Sequence, residues 1–441
     1  MAEMTKWRSG YTTTEEVLDM IEQSPTAFHA AETVRRKLAE NGFRELREQE
    51  PWHLQTGGRY YVMRNHSSIL SFTVPEKLHA FRIMASHSDS PCFKVKMHPD
   101  MQAEQAYIKL NVERYGGMII RSWLDRPLSL AGRGFVRENG GLKEVLVNID
   151  RDLLMIPSVA IHMDRKVNQG QELNLQTDML PVLAETDGDA DSGSAVCRLL
   201  AEEIRSEEKD ILGADLFVYN RMKPVYWGLN REFISSGRLD DLECCFSTLL
   251  GFLDSVGSAE CDDAVRMHAV FDNEEVGSGT MQGADSTFLQ DVMERIASSC
   301  GLSGDEYLSA AASGFMLSCD NAHAVHPNHP EKADPVNRPK MNQGIVLKFD
   351  GSQKYTTDGY SGAYVRMLCE DKGIPYQVFT NRSDMPGGST LGNISQAHVS
   401  MHTADIGLAQ LSMHSAWETA GAKDPEYLRR LAETFCSMDK K

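Results

Sequence analysis

"VRMHAVFDNEEVGS", residues 265–278, runs from an apolar segment straight into three acids, Asp272, Glu274 and Glu275. The segment 265–271 reads as a strand, and the acids fall just where it stops. Like charges so close raise one another's pKa, so the stretch asks for a positive charge that it does not itself contain. Two questions follow: what kind of sheet ends here, and which cation the end of this strand meets.

The segments around it answer the first question. Apolar runs near 314–318, 344–349 and 375–380 repeat the pattern of 265–271, with helical stretches between them. Strands that read as continuous apolar runs, alternating with helices, predict a mainly parallel central sheet covered by helices on its faces. "LHAFRIMASHSDSP" (78–91) reads the same way, a strand running into a polar loop at His87. Near the start, "SPTAFHAAETVRRKL" (24–38) predicts a helix, with Ser24 as N-cap, Pro25 at the first helical position, and Phe28, Ala31, Val34 and Leu38 on one face.

Between these blocks the texture changes. In "AYIKLNVERYGGMIIRSW" (106–123), Ile108, Leu110 and Val112 alternate with polar residues until Tyr115-Gly116-Gly117, and "GFVRENGGLKEVLVNI" (134–149) turns at Asn139-Gly140-Gly141. These are hairpin signals with half-buried faces. The acidic stretch at 185–193 reads as an exposed loop before a helix near 195–206. The expected organisation is a discontinuous α/β catalytic domain, 1–92 with 235–441, carrying an inserted β-rich domain at 93–234.

Composition narrows the function classes. At 441 residues the chain exceeds one small core. Lys+Arg 45 against Asp+Glu 63 leaves a net charge of −18, which argues against nucleic acid or an anionic membrane as partner. No run is apolar enough to span a membrane. The opening 23 residues lack the basic and apolar blocks of a signal peptide, and nine cysteines without paired spacing read as reduced thiols. Together these features predict a cytoplasmic protein.

Four polar motifs sit at the ends of strand-like runs: ASHSDSP (85–91), GRLDDL (237–242), DNEEVGS (272–278) and SCDNAHAVHPN (318–328). SMHSAWE (412–418) lies near the C-terminus. Ligands of open α/β sheets bind at the carboxyl ends of strands. Imidazoles and carboxylates gathered there suit zinc, manganese or cobalt, and a pair of metals would supply the missing charge. His87 would ligate through one ring nitrogen while Asp89 accepts from the other. Asp240 would bridge two metals about 3.5–4 Å apart. Glu275 would bind a metal, leaving Glu274 to take a proton from the attacking water. Asp320 and His414 would complete the second metal. His323 and His326 read as supporting residues. His402 shares the Met-His opening of His414, but His414 is preferred because Trp417-Glu418 continues a helical pattern that could hold it. Each motif alone has a plainer reading, as a surface loop, a helix start or an acidic turn; the set carries the inference.

The set also resembles a known family. SPTAFHA, SHSDSPCFKVK, SWLDRPLSLAGR, GRLDDL, DNEEVGSGT, NAHAVHPN and MHSAWETAG are similar to signature stretches of the aspartyl aminopeptidases, within the two-zinc aminopeptidases, and the likeness runs from about residue 10 to about 435. The resemblance implies two zinc ions per chain, with His87, Asp240, Glu275, Asp320 and His414 as ligands and Glu274 as general base. By analogy, His87 and Glu275 share one ion, Asp320 and His414 the other, and Asp240 bridges. It also implies that the inserted domain dimerises and that the protein assembles as a tetrahedral homododecamer. His162 in IPSVAIHM (156–163) would reach into a neighbouring subunit's site. Lys348 and Tyr355, in GIVLKFDGSQKY (344–355), match positions associated with an acidic substrate side chain. Asp241 departs from the family, which usually has Asn there. The expected activity is release of N-terminal residues, Asp or Glu, from peptides. A broad aminopeptidase or dipeptidase with the same metals, and a non-catalytic assembly protein, remain as alternatives.

Overall fold

A computed structural model describes residues 11–186, 194–257 and 263–438. The acidic loop expected at 185–193 lies, from residue 187 onward, outside them. Contacts divide the chain into two compact units: 1–89 with 224–413 and 418–441, and 90–223 with 414–417.

The first unit is built on a nine-stranded sheet in the order Arg44–Leu46, Arg59–Arg64, Ser68–Thr73, Ala264–Phe271, Ala80–His87, Phe315–Cys319, His402–Gly407, Ile345–Phe349, Tyr376–Thr380. Its four central strands, from Ala264–Phe271 to His402–Gly407, are mutually parallel. Residues of Ala80–His87, Ala264–Phe271 and Phe315–Cys319 are buried throughout. That is why they read as unbroken apolar runs: both faces are covered. One face packs against helices Thr12–Glu22, Ala27–Glu40, Leu239–Gly257 and Asp424–Ser437, through Val17, Val34, Leu249 and Phe435. The other packs against Phe288–Ser299 through Phe288, Val292 and Ile296. A five-stranded sheet (Val225–Trp227, Phe233–Ser236, Glu418–Gly421, Ala409–Leu411, Ala322–His323) completes this unit.

The second unit is a six-stranded, wholly antiparallel sheet: Gly141–Asn148, Leu128–Glu138, Ile211–Asn220, Cys92–Ala103, Tyr107–Tyr115, Val182–Glu185. Helix Ala195–Ile204 starts where expected, with the Ser194 side chain accepting from the Cys197 amide. The hairpin at Asn139-Gly140 turns with both residues at positive φ, 51° and 78°, the backbone that favours Asn-Gly in two-residue loops. Tyr115-Gly116-Gly117 is not a hairpin turn: Tyr107–Tyr115 pairs back with Cys92–Ala103, across a turn where Glu104 and Gln105 take φ 51° and 54°. The early helix also starts later than expected. Its N-cap is Thr26, because the Ser24 hydroxyl donates back to the Met20 carbonyl at 2.8 Å.

Candidate metal centre

Three of the four parallel strands end at the motifs singled out above. Ala80–His87 ends on His87, Ala264–Phe271 is followed by 272–275, and Phe315–Cys319 by Asp320; Phe271 lies in register with His87. The fourth segment enters from a helix: Asp240 and Asp241 open Leu239–Gly257.

The acidic turn has a local cause. Asn273 takes a left-handed conformation (φ 62°), and Gly277 (φ 97°) closes the 3-10 turn Glu274–Val276. Asn tolerates that region. Here its side-chain oxygen also accepts from Thr280 Oγ1 and Gln282 Nε2, both at 2.8 Å. Asp272 turns inward and accepts from the Asn273 amide at 2.7 Å. The turn is then clamped from the loop that follows Ala80–His87: the Asp89 carboxylate accepts from the Glu274 amide (3.1 Å) and the Glu275 amide (3.2 Å). Asp89 thus fixes the backbone of both glutamates. The hydrogen bond of His87 Nδ1 goes to the Asp89 main-chain oxygen at 3.0 Å, with the Asp89 carboxylate at 3.4 Å.

The side chains meet in two overlapping groups. Donor atoms of His87, Asp240 and Glu275 lie within 4.8 Å of one another, and so do those of Asp240, Asp241 and Asp320. Asp240 belongs to both. Its amide donates to the buried Glu418 carboxylate at 3.1 Å, and Asp241 accepts from the His87 amide at 3.1 Å. Glu418 had no role assigned from sequence, although it lies within the quoted C-terminal motif. Behind Asp320, strand His402–Gly407 passes so close that a Cβ on Gly407 would sit 1.8 Å from the Asp320 main-chain oxygen; glycine allows the approach.

The electrostatics fit a cation. Burial pushes the Asp241 carboxyl well above its usual range, with Asp320 and Asp240 adding to the effect. Burial likewise raises Asp320 against the pull of Lys348. Glu274 is pushed up to about 8, by burial first and then by Asp320, Asp89 and Asp240, with His87 opposing. Burial would lower His87, but Asp240 and Asp89 hold its imidazole well above the ordinary value. Asp241 Oδ1 is buried and makes no hydrogen bond to the protein. These carboxylates outnumber the two cations beside them, His87 and Lys348. A mixed imidazole–carboxylate donor set of this kind suits zinc.

The remaining predicted residues fall as follows. Lys348 is 2% exposed; its Nζ donates to the Asn321 carbonyl at 3.0 Å, lies 3.7 Å from Asp320 Oδ2, and sits 5.3 Å from the ring centroid of the buried Tyr355. It is not a solvated strand residue. His414 belongs to the second unit, where its Nδ1 lies 2.8 Å from the Gly117 carbonyl. It is not on a helix: residues 412–417 form a turn, His414 has φ 67°, and Glu418 begins a strand. A few residues of apparent helical spacing carried no real periodicity. His402 opens strand His402–Gly407 opposite Phe315, at the amino-terminal edge of the sheet, its ring against Tyr360; His87 lies at the other edge. His323 and His326 belong to neither donor group. His162 is exposed, in the second unit.

The family model described as aminopeptidase I zinc metalloprotease (M18) matches residues 20–436. A Clostridium acetobutylicum protein named as a probable M18 family aminopeptidase 2 is 43% identical over 429 residues, 96% of this chain and 98% of its own. A chain from the solved Ape4 and Nbr1 complex superposes with a TM-score of 0.93 at 34% identity, covering 97% of this chain and 85% of that one. A chain of the S. cerevisiae mApe1 dodecamer gives 0.84 at 26% identity, covering 96% and 95%. The fold and the donor set define a metallohydrolase of the α/β class. The chain belongs to the M18 family of zinc aminopeptidases, and zinc is the metal that membership implies.

Proposed function

We propose that the protein hydrolyses the first peptide bond of peptides with a free N-terminus, using two divalent cations per chain. The observation that carries this reading is the convergence of His87, Asp240, Glu275 and Asp320 with Glu274 at one edge of the parallel strands. On the family resemblance, His87 and Glu275 would hold one cation, Asp320 and His414 the other, and Asp240 would serve both. Cations held there would supply Lewis-acid chemistry, polarising the scissile carbonyl and acidifying the attacking water. Glu274 takes a proton from that water as its oxygen bonds to the carbonyl carbon. It then passes the proton to the leaving nitrogen as the C–N bond breaks. Asp89 keeps its backbone still by accepting from the 274 and 275 amides. A panel of aminoacyl chromogenic substrates, assayed with zinc, manganese and cobalt, tests this reading; no turnover on any of them contradicts it.

For the residue released, the proposal is Asp or Glu, with Lys348 meeting the substrate carboxylate beside Tyr355. Burying an unpaired carboxylate is costly, so an acidic side chain needs such a cation. A second reading is supported by the engagement of Lys348 with Asp320 and Asn321: the lysine only holds Asp320, and specificity is broad. Lys348→Met separates them. The acidic reading expects kcat/KM for aspartyl substrates to fall roughly 10- to 100-fold more than for leucyl ones, the scale of a hydrogen bond to a charged group. Equal losses support the second reading.

A second proposal concerns assembly. mApe1 was solved as a dodecamer. In this chain the second unit exposes Val159 (58%), Ile161 (48%) and Met163 (83%) around His162. Apolar side chains grouped on a surface favour association. We propose that this segment packs on another copy, with His162 completing that copy's site in a tetrahedral homododecamer. His162→Ala then lowers activity at unchanged metal content, and a fully active monomer in light scattering contradicts the assembly.

A further inference from the structure

Asp240 and Asp320 come from a helix start and a strand end 80 residues apart in sequence, yet they share one donor group. Something must fix the gap between those two segments. Asn321, the residue after Asp320, is 3% exposed and is held at both ends of its amide. Its Nδ2 donates to Glu243 Oε2 at 2.9 Å, and its Oδ1 accepts from the Cys244 thiol at 3.0 Å. Glu243 and Cys244, both fully buried, lie on the first turn of the helix that Asp240 opens. The same Nδ2 lies 3.2 Å from Gln410 Oε1, and the Asn321 main-chain oxygen accepts from Lys348.

We infer that Glu243 and Asn321 form a positioning strut that sets the separation of Asp240 and Asp320 and so tunes the affinity for the cation they share. The inference rests on those two residues being ligands. Neither Glu243 nor Asn321 touches substrate or metal in this account; they act through the backbone of their neighbours. An asparagine in place of a hydrophobic residue here costs burial of a polar amide, which is offset because each end finds a partner. The amide also has direction: its donor end faces the glutamate and its acceptor end faces the thiol.

That direction supplies the test. Asn321→Asp removes the match by facing two carboxyl groups, whereas Glu243→Gln alone still offers an amide oxygen to the Asn321 Nδ2 donor. The double variant Glu243→Gln/Asn321→Asp restores it with reversed polarity and unchanged total charge, since the new Asp accepts from both the Gln amide and the Cys244 thiol. Zinc affinity is measured by competition with a chromogenic chelator, and bound metal by mass spectrometry. Asn321→Asp is expected to weaken the zinc shared by Asp240 and Asp320 by about tenfold or more, and the double to recover to within about threefold of wild type. An Asn321→Asp variant that binds like wild type, or a double no better than that single variant, overturns the inference. Asp320→Ala is the control on the ligand assignment: if it keeps both zincs, that assignment fails, independently of the strut. Should the single variants not fold, Cys244→Ser and Cys244→Ala serve instead. The serine keeps the donor and binds zinc as wild type does, and the alanine weakens it at least twofold; equal affinities overturn the inference.

Discussion

Glu274→Gln is expected to keep two metal ions per chain and to lose at least a hundredfold in kcat. The amide preserves the shape of the side chain and the turn that Asp89 clamps through the 274 and 275 backbone amides. It removes only the group that accepts the proton. General-base contributions run to about 10²–10⁴-fold, and an otherwise preorganised site exposes the whole of that term. Metal content and kcat measured on the same preparation check it. A variant with full metal and near wild-type turnover would leave Glu274 as a structural acid, and the base would have to be sought elsewhere.

Metal removal should produce the other large effect. A cation that binds the folded state at a hundredfold excess over its Kd stabilises by about 2.7 kcal/mol per site, so the chelated protein should unfold at a clearly lower temperature. The sign of the pH dependence follows from the groups facing one another in the cluster. In the metal-free protein, Asp241, Asp320 and Glu274 have raised pKa values, and so does His87. The folded state therefore holds more protons than the unfolded one above the ordinary carboxylate range. Stability is lost as pH rises, and for Glu274 the window runs from the ordinary 4.5 up to about 8. Metal ligation needs the deprotonated forms and acts in the opposite sense. The stabilisation by zinc, read as the difference between loaded and chelated melting temperatures, should therefore be larger at pH 8 than at pH 6. A difference that shrinks with rising pH would contradict the cluster as the binding site.

The parts of this centre that sequence made legible share a physical reason. A parallel strand buried on both faces must be apolar along its length, so its end is marked by the first polar residues, and His87, Asp272 and Asp320 announce themselves. What stayed hidden depends on pairs far apart in the chain. No local pattern says that Asp89 accepts from the backbone 185 residues later, that Glu418 holds the Asp240 amide, or that Asn321 locks onto Glu243. The burial of Lys348 has no local sign in the sequence, because burial of a strand's last residues is decided by what packs over them. The errors were local as well. Ser24 looked like a cap but is taken by the Met20 carbonyl, and Trp417-Glu418 looked helical over a span too short to show a period. Glu418 instead pairs into the five-stranded sheet opposite Ser236.

Removal of the N-terminal residue at this cluster is expected to depend on metal. Mass spectrometry of the products from one peptide, offered with a free and with an acetylated N-terminus, tests it most directly, using zinc-loaded, chelated and zinc-restored protein. The expected result is loss of single N-terminal residues from the free peptide only, abolished by chelation and restored by zinc. Cleavage of the acetylated peptide, internal cleavage, or undiminished activity in the chelated protein would contradict it.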